Sequence, residues 1–263
     1  MNLRKQLVLA LALAIGSSVA LAQKAAVIRI GIEAAYPPFE SKSVSGKLQG
    51  FDIDIANALC KKIEAQCSWV EMPFDNLIPA LQANRFDAIH SAMNITEERL
   101  KSIAFTDPIY AVPVQLIANK KSHLTPDVSS LKGKRIGVLQ GSIMATYAKT
   151  RWEPKGVTVV EYSNQDKVYM DLLANNIDAS LQESQAAYSG FLRTDIGSAF
   201  GYAGAPIKDA SIFGPGVGIG LRKSDTALRQ QLNDAIAALK ADGTFDKIAK
   251  HYFQVDVIDK STP

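Results

Sequence analysis

Two rhythms of apolar positions alternate along this chain: short β-branched runs, and longer stretches with a repeat near four. Residues 26–32 are mostly apolar and β-branched, as in a strand of a parallel sheet covered on both faces. Phe51, Ile55, Leu59 and Ile63 fall four apart and predict a helix over 51–65. A strand over 67–71, a helix over 74–84 with Leu77, Ile78 and Leu81 inward, and a strand over 87–93 follow. Between the first strand and helix, Pro37 and Pro38 bar a helix, and 41–50 form a polar turn around Gly46. Residues 103–120 read as extended, interrupted by Pro108 and Pro113, and then the pattern restarts. A strand ends in the turn Gly141-Ser142 and a helix runs to about Trp152; strands at 156–162 and 177–181 alternate with helices at 165–175 and 183–192. Residues 205–215 contain Gly and Pro and read as a return crossing, before a strand at 216–221 and one or two helices over 226–253. Such alternation predicts α/β architecture with parallel sheets and right-handed crossovers. The second βα set sits between two extended connections, the arrangement of two lobes joined twice.

Residues 1–22 stand outside this pattern. Arg4 and Lys5 precede a short apolar core, and Ala20-Leu-Ala22 is a small-x-small cleavage site before Gln23: a secretory signal peptide is predicted, cleaved after Ala22. No later apolar run is long enough to span a bilayer. The leader carries two basic residues and no acidic one, so the formal charge falls from +3 to +1 on its removal. That near-neutral chain has no basic stripe for nucleic acid. Export to an oxidising compartment favours a disulfide between the two cysteines, Cys60 and Cys67, and two thiolates with no nearby His make a poor zinc site.

The candidate chemistry centres on residues 87–99. A buried strand ends in polar residues, Ser91 and Asn94, and a short turn starts a helix that carries Arg99. Arginine's planar fork meets a carboxylate with two parallel hydrogen bonds, so Arg99 is the candidate anchor for a small acid, against the plain alternative of a solvated helix residue. Ser142 and Ile143 open a helix after a strand, where free N–H groups attract anions, although a simple capping serine reads the same way. Glu183 leaves a strand where it could take an ammonium group or merely cap a helix, and Glu33 and Asp52 are further acids near strand ends. Tyr36 and Phe74 could wall a ligand or belong to the core. Nucleophile-elbow and zinc-protease motifs are absent, and neither a catalytic set nor a cofactor site is predicted.

In combination these stretches resemble the periplasmic solute-binding proteins of amino-acid ABC transporters, above all the lysine/arginine/ornithine- and histidine-binding members. The resemblance rests on Tyr36-Pro-Pro-Phe39, Gly50-Phe-Asp-Ile-Asp54, Cys60…Cys67-Ser-Trp69, Asp87-Ala-Ile…Ile95-Thr-Glu-Glu-Arg99, Gly137-Val-Leu-Gln-Gly-Ser142 and Asp242-Gly-Thr-Phe-Asp-Lys247, and it covers essentially the whole mature chain. It implies a type II periplasmic binding fold: lobe 1 from 23–110 plus 215–263, lobe 2 from 113–207, and hinges at about 110–113 and 207–215. It implies a monomer that captures an amino acid, best a cationic one, and delivers it to an inner-membrane permease. By position, Arg99 would hold the ligand carboxylate with help from N–H groups at Asn94, Ser142 and Ile143. Ser91, Ala92, Asn94 and Glu183 would meet the α-amino group and its surroundings, and Tyr36 and Phe74 the side chain. Glu33 and Met144 would lie toward its far end. The resemblance also implies the Cys60–Cys67 disulfide. Ala92 and Asn94 depart from serines, Glu183 and Glu33 from aspartates, Met144 from Gln and Ile143 from Thr, so an opine-type ligand is an alternative. A cyclohexadienyl-dehydratase-like enzyme on the same scaffold is the other.

Overall fold

The computed structural model describes residues 26–253; the signal peptide expected at 1–22 lies outside the described residues. The chain opens with β1 (Ala26–Ile32), followed by a three-stranded ribbon of β2 (Ala35–Tyr36), β3 (Glu40–Lys42) and β4 (Leu48–Gln49). Gly50, at φ 138°, turns the ribbon into α1 (Phe51–Lys62); a side chain there would meet the Phe39 carbonyl oxygen at 2.1 Å. Then come β5 (Ala65–Glu71), α2 (Leu77–Gln82), β6 (Ala88–Ile89), α3 (Glu97–Ser102) and β7 (Ala104–Phe105). The chain crosses into β8 (Val114–Asn119), α4 (Val128–Leu131), β9 (Arg135–Leu139), α5 (Ile143–Tyr147), β10 (Thr158–Tyr162), α6 (Gln165–Leu173), β11 (Ala179–Glu183), α7 (Ser184–Ala187) and β12 (Phe200–Tyr202). It returns through α8 (Ala210–Phe213) to β13 (Gly220–Leu221), α9 (Thr226–Ala241) and α10 (Thr244–Tyr252).

Two five-stranded sheets result, ordered β5-β1-β6-β13-β7 and β10-β9-β11-β8-β12. In each, the βα units supply the parallel pairs, and the strands flanking the crossings add antiparallel ones: β13 against β6 and β7, and β8 against β11 and β12. α1 seals the first sheet with Phe51, Ile55 and Leu59, the repeat read in the sequence. Trp152, Val138 and Leu181 share the core of the second. Cys60 and Cys67 are joined by a disulfide that ties the end of α1 to β5.

Local differences from expectation have physical causes. The helix expected over 51–65 stops at Lys62, because Glu64 turns with φ 56° and β5 starts at once. The helix expected over 74–84 is a 3-10 turn at Phe74–Asn76 followed by α2. The strand expected over 87–93 pairs only at Ala88–Ile89; beyond it the backbone leaves the ladder, and Ala92 has φ 45°. β12 carries no apolar repeat of its own and is held by pairing with β8.

Candidate functional site

The carboxyl ends of β1, β6, β9 and β11 face one another across a cleft, where open α/β sheets place ligands. About 300 Å³ of space, part of it open to solvent, lies between the walls. The first wall carries Glu33, Tyr36, Phe74, Ser91, Ala92, Asn94 and Arg99, and the second Ser142, Ile143, Met144 and Glu183. Eleven of the twelve candidate residues therefore come together. Asp52 does not: it lies fully buried behind the first wall, accepting a hydrogen bond from the Ala92 N–H. Sequence reasoning passed over two lining residues, Glu40 and Leu139. Leu139 ends β9 just before the glycine turn, a position that marks it for the cleft. Glu40 has no comparable local signal; its burial comes from a hydrogen bond with Ser91, 51 positions away.

The walls touch. The Asn94 side-chain amide donates to Glu183 Oε1 at 3.0 Å, and Arg99 Nη2 donates to the Gly141 carbonyl at 3.0 Å. Gly141 (φ 73°) permits this approach, because a Cβ there would lie 3.0 Å from that of Asp75 across the cleft. Thr96 caps α3 by accepting from the Arg99 N–H, and the guanidinium also donates to the Asn94 carbonyl at 2.6 Å. The guanidinium carbon lies 5.4 Å from the Phe74 ring centroid, within cation–π range. Ser142 caps α5 through its hydroxyl, which accepts from the Ala145 N–H. Its own N–H donates to the Leu139 carbonyl at 3.2 Å, within the turn that ends β9.

The charges are unevenly placed. Arg99 is the basic lining residue, with a pKa lowered to about 10 by burial, and it remains a cation at neutral pH. Three acids share the rest of the cleft. Burial, then Asp166 and Asp75, raise Glu33 to about 8. Burial raises Glu183 to about 7, against the opposing Asn94 hydrogen bond and Arg99 charge. Burial, with Asp52 nearby, also pushes Glu40 up. Ser91 connects two of these acids: its hydroxyl accepts from the Glu33 N–H and donates to Glu40 Oε1 at 2.8 Å. Glu33 Oε1 and Glu40 Oε2 are buried with no hydrogen-bond partner in the protein, an arrangement that suits a cationic group.

The histidine-binding periplasmic protein of Escherichia coli K12 is 50% identical over 256 residues, 96% of this chain and 98% of that protein. The lysine/arginine/ornithine-binding periplasmic protein of the same strain is 48% identical over the same shares. A solved structure of an ancestral arginine-binding protein bound to arginine superposes with a TM-score of 0.80 at 32% identity, covering 86% of this chain and 98% of that one. The fold is that of type II periplasmic binding proteins. Residues 28–255 match the bacterial extracellular solute-binding proteins, family 3, and the chain belongs to that family.

Proposed function

We propose that the protein is a periplasmic carrier that captures a cationic amino acid between its lobes and hands it to an inner-membrane ABC permease. The observation that carries this reading is the charge layout: one guanidinium and three buried carboxyl groups line the same cleft. A zwitterion with an additional positive charge on its side chain matches that layout. Arg99 takes the α-carboxylate through a charge-assisted fork. Glu183, on the other lobe, takes the α-ammonium group. Tyr36 and Phe74 flank the aliphatic stem, with Ile143 and Met144 opposite, and Glu33 with Glu40 receive the cationic head. Ligand contacts to both lobes favour the closed arrangement, and hinge segments at about 110–113 and 207–215 let the lobes part. The names of the relatives point to histidine, lysine, arginine and ornithine.

Calorimetry and thermal shift with arginine, lysine, ornithine, histidine, glutamine and an opine test the reading, since a ligand that binds only the folded state raises Tm by mass action. Binding confined to neutral amino acids would overturn it. Glu183, a buried acid poised at about 7, is also suited to general-acid chemistry. Incubation with arogenate and prephenate therefore belongs in the same experiment: turnover would replace the carrier by a dehydratase.

A further inference from the structure

We propose that Asp52 is a positioning residue that holds the floor of the cleft in a backbone conformation its sequence disfavours. The inference rests on the cleft described above. Ala92 lies in that cleft between Ser91 and Asn94, and its φ of 45° is in the left-handed region that L-residues with a Cβ rarely adopt. Something outside the residue must hold it there. Asp52 Oδ2 accepts from the Ala92 N–H at 2.7 Å, a short hydrogen bond. The same carboxylate accepts from the Tyr110 hydroxyl at 2.7 Å through Oδ1, so both oxygens are committed.

Tyr110 belongs to the outgoing crossing and forms a bridge with Val217 on the returning one; Val217 also bridges Asn94. The Tyr110 ring stacks on Phe39 at 5.5 Å and meets Phe51 edge-on at 5.2 Å. Asp52 is itself fixed, because its N–H donates to the Phe39 carbonyl at 2.9 Å. One buried carboxylate thus connects the ribbon, the cleft floor and the crossing. Without it, Ala92 is free to relax toward negative φ, which would swing the neighbouring Ser91 and Asn94 out of place.

The test uses Asp52→Asn, Ala92→Gly and the double variant of the full mature chain, with L-arginine as probe. Glycine adopts positive φ without the Cβ penalty, so it removes the need for the restraint. Asp52→Asn is expected to weaken arginine binding at least tenfold in the wild-type background and less than threefold in the Ala92→Gly background, whatever Ala92→Gly costs by itself. A residue that only stabilised the fold would give no such rescue. The ligand-free readout is hydrogen exchange at the Ala92 amide, slow in wild type and at least tenfold faster in Asp52→Asn. Should Asp52→Asn fail to fold, Tyr110→Phe removes one of the two bonds; it is expected to weaken binding at least threefold and to be rescued by Ala92→Gly. Unchanged affinity, absent rescue, or unaltered amide exchange would overturn the inference. Failure of wild type to bind arginine strikes the proposed ligand instead, and the exchange comparison still decides the role of Asp52.

Discussion

Capture of a cationic ligand should release protons. With the two walls in contact, Glu33 is raised to about 8 and Glu183 to about 7, both chiefly by burial. At pH 7 such groups are about nine-tenths and about one-half protonated, so a ligand cation that forces both to ionise expels roughly 1.4 protons from these two, and Glu40, which burial also raises, adds to that number on ionising. Affinity must then rise with pH, by more than a factor of ten between pH 6 and pH 7, and flatten above pH 8 as the carboxyls are already ionised. The sign is opposite for the ligand-free fold. Its acids bind more protons than the unfolded chain between the ordinary value of 4.5 and about 8, so its stability declines as pH rises through that window. The increase in Tm caused by arginine should therefore grow with pH. Isothermal titration calorimetry at pH 7 in phosphate and in Tris measures the released protons directly, from the dependence of apparent enthalpy on buffer ionisation. Glu33→Gln should remove about 0.9 of them. Equal enthalpies in the two buffers, with an affinity flat from pH 6 to 8, would show that the buried acids are not discharged by the ligand.

Three further outcomes follow from single contacts. Arg99→Lys keeps the charge and loses the fork that reaches both Asn94 and Gly141; losing one charge-assisted bond, about 1.5–3 kcal/mol, weakens arginine binding roughly ten- to hundredfold by calorimetry, and an unchanged Kd would contradict the anchoring role. Replacing both Cys60 and Cys67 by Ser opens a short loop worth about 2.5 kcal/mol of chain entropy, so Tm should fall by roughly 5–10 °C with arginine affinity preserved; a Tm within 1 °C of wild type, on the order of experimental error, would show that the bridge contributes nothing. Gly31→Ala places a Cβ 2.4 Å from the fully buried Phe86 ring, and denaturant unfolding should report a loss of about 1–3 kcal/mol.

Much of the fold was legible because its strands and helices declare themselves locally. The apolar run of β1 and the four-residue repeat of α1 are properties of contiguous residues, and each element formed where its pattern lay. What was not legible is held by partners distant in sequence. β12 exists because β8 pairs with it, and the segment after β6 bends away from its expected strand because Asp52, 40 positions earlier, draws the Ala92 N–H to itself.

The candidate site divides along the same line. Arg99 and Glu183 could be read as candidates because strand ends and helix starts are places where a charge is exposed to a ligand, whatever the rest of the chain does. Asp52 occupies the same kind of position, the first turn of α1, yet the ribbon and the crossing close over it. Its chemistry is then directed inward, to Ala92 and Tyr110, rather than to the cleft. Glu40 shows the converse. A glutamate in a three-residue strand looks solvent-facing, but Ser91 and the wall behind it turn its second oxygen into a buried atom with no partner. Sequence position fixes which acids lie near the cleft; only the packing of α1 and the ribbon decides which of them face it. Exchanging those roles by mutation would therefore require rebuilding the packing around Phe39, Phe51 and Tyr110, not merely moving a carboxylate.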